Sequence, residues 1–84
     1  MLAFEESAWE DYLYFKNTDK SISKKIDKLI KETLRSPFGG IGKPEKLKGN
    51  LSGYYSRRIT QEHRLVYKYE DEILFIASCR FHYQ

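Results

Sequence analysis

Three residues that could move protons or meet a phosphate lie far apart in this chain: Glu45 in "GKPEKLKG", Arg64 in "EHRLVYKYE" and His82 in the closing "SCRFHYQ". Cleavage of an RNA phosphodiester by its own 2′-hydroxyl needs a base for the hydroxyl proton, a cation beside the crowded phosphate and an acid for the departing 5′-oxygen. Glu45, Arg64 and His82 can fill these roles in that order. Glu45 is the only acid between Arg35 and Glu62. Lys43, Lys46 and Lys48 surround it and can hold a phosphate chain beside it. Histidine, with an ordinary pKa of about 6.5, exchanges protons near neutrality. On spacing alone the alternatives stay open: an exposed loop in charge balance, and a tail histidine without chemistry.

Charged residues inside strand-like runs add to this set, because a covered sheet face excludes them. Arg58 and Thr60 share one side of "YYSRRIT". Arg64, Val66 and Lys68 share one side of the next run, and Arg80 and His82 one side of the last. Alternation puts Cys79 opposite Arg80 and His82, as a packing residue. His63 opens a strand beside a turn and reads as structural. A Walker-type phosphate loop is excluded, because Lys43 is followed by Pro44 rather than Ser or Thr. The two histidines have no partner at i+3 or i+4, so metal ligation is not expected. No nucleophile elbow is present.

These residues need a scaffold, and 84 residues amount to one domain spanning 1–84. Seven Tyr, five Phe and one Trp can build a core without disulfides, which a single Cys79 cannot form internally. The thiol suits a reducing cytoplasm, the expected location. No apolar run approaches the ~20 residues of a membrane span. Charge is uneven: between residues 43 and 68 there are seven bases against two acids, Glu45 and Glu62. A polyanionic partner suits that half.

"LAF" at 2–4 reads as a strand. Ser7 and Glu10 have capping-box spacing for a first helix carrying Trp9, Tyr12, Leu13 and Lys16 on one stripe. Asp19 caps a second helix with Ile22, Ile26, Leu29, Ile30 and Thr33 facing inward, ended by Pro37. All five glycines and both prolines fall in 37–53, a long irregular segment of the kind that is usually functional. Three strand-like runs follow, turning at Gln61-Glu62 and Glu70-Asp71-Glu72, with "ILFIA" as the central strand. The expected fold is α+β in the order β-α-α-β-β-β, an antiparallel twisted sheet with two helices on one face.

"SAWEDYLYF", "FGGIGKPEKLKGNLSGYYSRRITQEHRLVY" and "CRFHY" together closely resemble the YoeB-type toxins of the RelE superfamily, over essentially the whole chain. That resemblance implies a microbial-ribonuclease-type fold and the toxin of a bacterial type II toxin–antitoxin pair, one that enters the ribosomal A site and cuts mRNA there without a cofactor. It places the family's catalytic glutamate on Glu45, its strand arginine on Arg64 and its C-terminal His-Tyr pair on His82 and Tyr83. Supporting RNA contacts fall on Lys48 and Arg58. It also implies an antitoxin with an acidic, flexible C-terminal segment, the 70S ribosome and mRNA as partners, and a homodimer. Tyr83 can stack on a base, worth about 1–3 kcal/mol, or lend its hydroxyl to the phosphate. Gln84 is an extra residue after the family's usual terminal Tyr. A non-catalytic ribosome-binding inhibitor of the same fold is the alternative. Superfamily members that poison DNA gyrase by protein contact are a more remote one, and protein contact needs neither an acid nor a base.

Overall fold

The computed structural model describes residues 1–40 and 44–81. The element order is β1 (Leu2–Phe4), α1 (Glu6–Thr18), α2 (Lys20–Arg35), β2 (Glu45–Lys46), β3 (Tyr55–Arg58), β4 (Arg64–Glu70) and β5 (Ile73–Ser78), with a 3-10 turn at Gly49–Leu51. The architecture is α+β, with one sheet ordered β1-β5-β4-β3-β2. β5 is an interior strand, between β1 and β4, as its apolar run suggests, although the middle place in the sheet belongs to β4. Two features differ from the sequence reading. The sheet is mixed, because β1 joins β5 in parallel while the other three pairings are antiparallel. And the glycine-rich segment contributes a short strand, β2, at the far edge.

α1 does not start with the expected capping box. The β1–β5 ladder continues through the Glu5 N–H to the carbonyl of Ile76 (2.8 Å), and the Glu5 carbonyl already accepts from Trp9 N (2.9 Å). The strand thus runs straight into the helix, Glu5 becomes its cap without a side-chain bond, and Ser7 falls inside the first turn. The inward stripe also differs from expectation. Ala8 and Phe15 are buried with Tyr12 partly covered between them, whereas Trp9 and Leu13 remain exposed beside Phe4. α1 is apolar on most sides, so its sequence does not single out the stripe; packing on β5 does. Cys79 Sγ lies 3.5 Å from the Ala8 carbonyl, a distance that a larger side chain at position 8 would disturb.

α2 matches its pattern. Asp19 Oδ1 accepts from Ile22 N (3.1 Å), and Ile26, Leu29, Ile30 and Thr33 are buried. Thr33 satisfies its hydroxyl on the Leu29 carbonyl (2.6 Å). The helix ends at Arg35 with Ser36 as its cap, just before Pro37. The Tyr12 hydroxyl donates to Asp27 Oδ1 (2.8 Å) and ties the helices together. That bond, with burial and the carboxylate charge, raises the tyrosine pKa. Among the described residues no helix is long and apolar enough to cross a membrane.

The helices cover one face of the sheet, where Leu65, Tyr67, Leu74 and Ile76 join Ala8, Phe15, Ile26 and Leu29 in the main core. Strand alternation sends Ser56, Arg58, Arg64, Val66 and Lys68 to the second face. Val66 and Leu47 are buried yet lie outside the main cluster, so that face is partly covered.

Two local features lead to predictions. Asp71 and Glu72 both have left-handed backbones (φ 52° and 63°) in the two-residue turn between β4 and β5, a geometry that favours Asn-Gly. Replacing the pair by Asn-Gly is expected to stabilise the fold by about 1 kcal/mol, raising the melting temperature by about 4–8 °C for a domain of this size. A lower melting temperature would contradict the strain. Burial, and then the nearby Asp11 carboxylate, push the Cys79 thiol up to about 12. Cys79 is therefore expected to react with an aromatic disulfide at pH 8 only as fast as the protein unfolds, and at once in denaturant. Rapid labelling of the folded protein would contradict this burial.

Candidate active site

β2 decides where the candidate base sits. Glu45 pairs with Ser56 and Lys46 with Tyr55. Residues directly opposite share a face, so Glu45 belongs to the second face with Ser56, Arg58 and Arg64. Arg58 lies two residues along β3 from Ser56, a diagonal neighbour of Glu45 about 7–8 Å away. Arg58 is itself directly opposite Arg64 on β4. From Glu45 to Arg64 is two strand spacings and two residues, about 12 Å between Cα atoms. Two long side chains can face each other across that interval with an anion between them. The edge strand thus brings the glutamate of the irregular segment onto the face that carries both strand arginines.

Like charges directly opposite each other destabilise a sheet. Arg58 is exposed, so solvent screens it. Arg64 is restrained: Nη1 donates to the carbonyls of Thr60 (2.6 Å), Gln61 (3.1 Å) and His63 (3.1 Å), all in the turn joining β3 to β4. Nε and Nη2 take no part in those bonds. Lys68 is engaged on the same face, with Nζ 5.5 Å from the ring centres of Tyr54 and Phe75 and 3.6 Å from Glu70 Oε1.

Not every expected residue joins this cluster. Lys46 alternates to the helix-covered side with Tyr55. Lys48 is exposed at the start of the 3-10 turn, close in sequence to β2. Arg80 is a correction. Regular strand β5 ends at Ser78, which frees Arg80 from the alternation that placed it beside Arg64, although the chain stays next to β4. Its guanidinium lies 4.0 Å over the Tyr14 ring and 3.8 Å from Asp11 Oδ1, both on α1. Its backbone follows β5, three strand spacings or about 14 Å from β2. Lys43, His82 and Tyr83 lie outside the described residues.

Sequence reasoning missed Arg57, which is fully buried on the helix side of β3. Its Nε donates to the Tyr67 hydroxyl (3.2 Å) and its Nη2 to the Ser36 carbonyl (2.6 Å), while Tyr67 donates to the Pro37 carbonyl (2.7 Å). Burial raises the Tyr67 pKa, and Arg57 partly opposes this through its hydrogen bond and charge. The phenol therefore stays protonated and able to donate. These bonds fasten the start of the 37–53 segment to the sheet. The signal was alternation: Arg57 is out of phase with Arg58 and in phase with Tyr55. Among the described residues no three His, Cys, Asp or Glu gather as metal ligands do.

Residues 4–83 match the family model described as YoeB-like toxin of bacterial type II toxin-antitoxin system. Toxin YoeB of Escherichia coli (strain K12) is 62% identical over 82 residues, covering 98% of each chain. Among solved structures, a YoeB-YefM complex from Staphylococcus aureus superposes with a TM-score of 0.92 at 54% identity, over 99% of this chain and 97% of the other. A YoeB dimer from Staphylococcus aureus gives 0.90 at 55% identity, over 98% and 95%. With residues 4–83 matched by the family model and 98% of the chain aligned to a relative at 62% identity, this chain belongs to the YoeB-like toxins of bacterial type II toxin–antitoxin systems.

Proposed function

We propose that this toxin is a ribosome-dependent endoribonuclease that cuts mRNA in the A site and so stops translation in the cytoplasm. The observation that carries this reading is the placement of Glu45 on the same sheet face as Arg58 and Arg64. A face that gathers a carboxylate and two guanidiniums suits chemistry on a phosphodiester.

Glu45 takes the proton from a 2′-hydroxyl, whose oxygen attacks the adjacent phosphorus. Charge grows on the phosphate oxygens, and Arg64, held by the turn carbonyls, stabilises it. Such electrostatic stabilisation is worth about 10²–10³-fold per group. His82 gives a proton to the departing 5′-oxygen, leaving a 2′,3′-cyclic phosphate. The base, the cation and the acid are all side chains, so no metal step is required. Tyr83 stacks on a base or lends its hydroxyl to the phosphate. Arg58, Lys43 and Lys48 contribute positive charge along the RNA path; Lys46, on the other side of β2, does not. Support for the role of His82 comes from Phe81, the residue before it, whose carbonyl accepts from the Arg64 N–H (3.1 Å).

The partners follow from the same charge. A cognate antitoxin with an acidic, flexible tail would cover the arginine face and compete with RNA there. The relatives solved as a YoeB-YefM complex and as a YoeB dimer support an antitoxin complex and a homodimer for this chain as well.

The test uses Glu45→Gln and His82→Ala. Each is expected to lower mRNA cleavage on ribosomes by about 10²–10⁴-fold and to relieve growth arrest, with ribosome binding and melting temperature unchanged. Mapping transcript 5′ ends after brief induction should show cuts within A-site codons for the wild type. Full cleavage by the double variant would refute the assigned roles. Continued arrest without cleavage would instead support a non-catalytic ribosome binder. Arg58→Glu should separately weaken ribosome binding and reduce its salt dependence, since a phosphate contact is lost. Unchanged salt dependence would remove Arg58 from the RNA path.

A further inference from the structure

β5 ends at Ser78, yet the chain beyond it stays beside β4. Two hydrogen bonds hold Phe81 there. Its carbonyl accepts from Arg64 N (3.1 Å), and its N–H donates to Nδ1 of the His63 imidazole (2.8 Å). His63 is only 7% exposed. Its ring lies edge-to-face with Phe15 of α1 (5.0 Å between centres) and 5.6 Å from the Phe81 ring. Thr60 Oγ1 accepts from His63 N (3.0 Å), and the His63 carbonyl accepts from Ile59 N (3.0 Å) and Thr60 N (3.2 Å). The histidine is thus fixed by the β3–β4 turn, by α1 and by its own backbone bonds before it meets the tail.

Phe81 has φ +62°, a left-handed backbone that residues with side chains rarely adopt. Such a conformation persists only where the surroundings impose it. Here they do: the chain is clamped at both the N–H and the carbonyl of this one residue. The residue is half exposed (52%), so burial does not supply the restraint. A backbone N–H can only donate, which makes Nδ1 an acceptor and places the ring proton of neutral His63 on Nε2. That nitrogen faces Glu62 Oε1 at 3.6 Å.

We infer that His63 is a positioning residue: by accepting the Phe81 N–H on Nδ1 it fixes Phe81 beside Arg64, immediately before His82 and Tyr83 in the chain, the residues proposed above as acid and stacking group. It touches neither RNA nor the reacting phosphate. The catalytic part of this inference rests on the endoribonuclease reading above; the clamp itself does not.

The experiment compares His63→Asn, which keeps an acceptor bonded to Cγ where Nδ1 stands, with His63→Gln, which moves its amide one atom outward. The first readout is amide exchange at Phe81 in the isotopically labelled full-length protein. His63→Gln is expected to lose at least tenfold in protection at Phe81 with a near-native melting temperature, and His63→Asn to retain it. The second readout is cleavage of a defined mRNA on 70S ribosomes. His63→Gln is expected to lose about 10²-fold in kcat with KM for the programmed ribosome nearly unchanged, and His63→Asn to recover most of the rate. Equal Phe81 protection in all three proteins would overturn the clamp. Lost protection with wild-type kcat would overturn positioning. A wild type that cuts no ribosome-bound mRNA would sink the endoribonuclease reading instead, and the exchange measurement would still decide the clamp.

Discussion

β5 is hydrogen-bonded along both edges and covered by α1 on one face. Leu74 and Ile76 are fully buried there, and every other strand takes its position from this one. The parallel partner β1 fastens the start of the chain, with the terminal ammonium donating to the Glu72 carbonyl (3.0 Å) and Leu74 N to the Met1 carbonyl (2.8 Å). The antiparallel partner β4 carries the order outward to β3 and finally β2. Helices occupy one side of this assembly, so polar strand residues collect on the other. The arginine-bearing face follows from covering one side of a sheet and leaving the other partly open.

That second face conflicts with stability. Arg58 opposite Arg64 is an unfavourable pairing for a sheet, and the arrangement becomes favourable when an anion lies over it. The structure holds Arg64 by hydrogen bonds to turn carbonyls. Arg57, one residue from Arg58, is handled differently: buried, bonded to Tyr67 and to the Ser36 carbonyl, it fastens the segment that leads to Glu45. Neighbouring arginines on one strand therefore serve opposite faces.

Much of this was legible beforehand. The α2 stripe, the Asp19 cap, the stop before Pro37, the interior position of "ILFIA" and the buried Cys79 all follow from local pattern, because periodicity and capping act over a few residues. The structural role of His63 was legible too, though its partner was not. The misreadings have a common cause. The Ser7 capping box and the Trp9–Leu13 stripe are sound local choices that lost to β1 running directly into α1 and to Ala8 packing against Cys79. Arg80 obeys strand alternation on paper, but the strand ends before it and α1 takes its guanidinium.

By itself, the sequence determined the α+β class, the limits of α2 and the basic second half. These are set by local propensity, composition and charge, which need no knowledge of distant partners. Only the tertiary structure decided that β1 runs parallel to β5, that two residues of a glycine-rich segment become an edge strand, and that Glu45 shares a face with Arg64. Those outcomes depend on which strands pair and in what register. Pairing joins residues tens of positions apart, and a shift of one residue would send Glu45 to the opposite face.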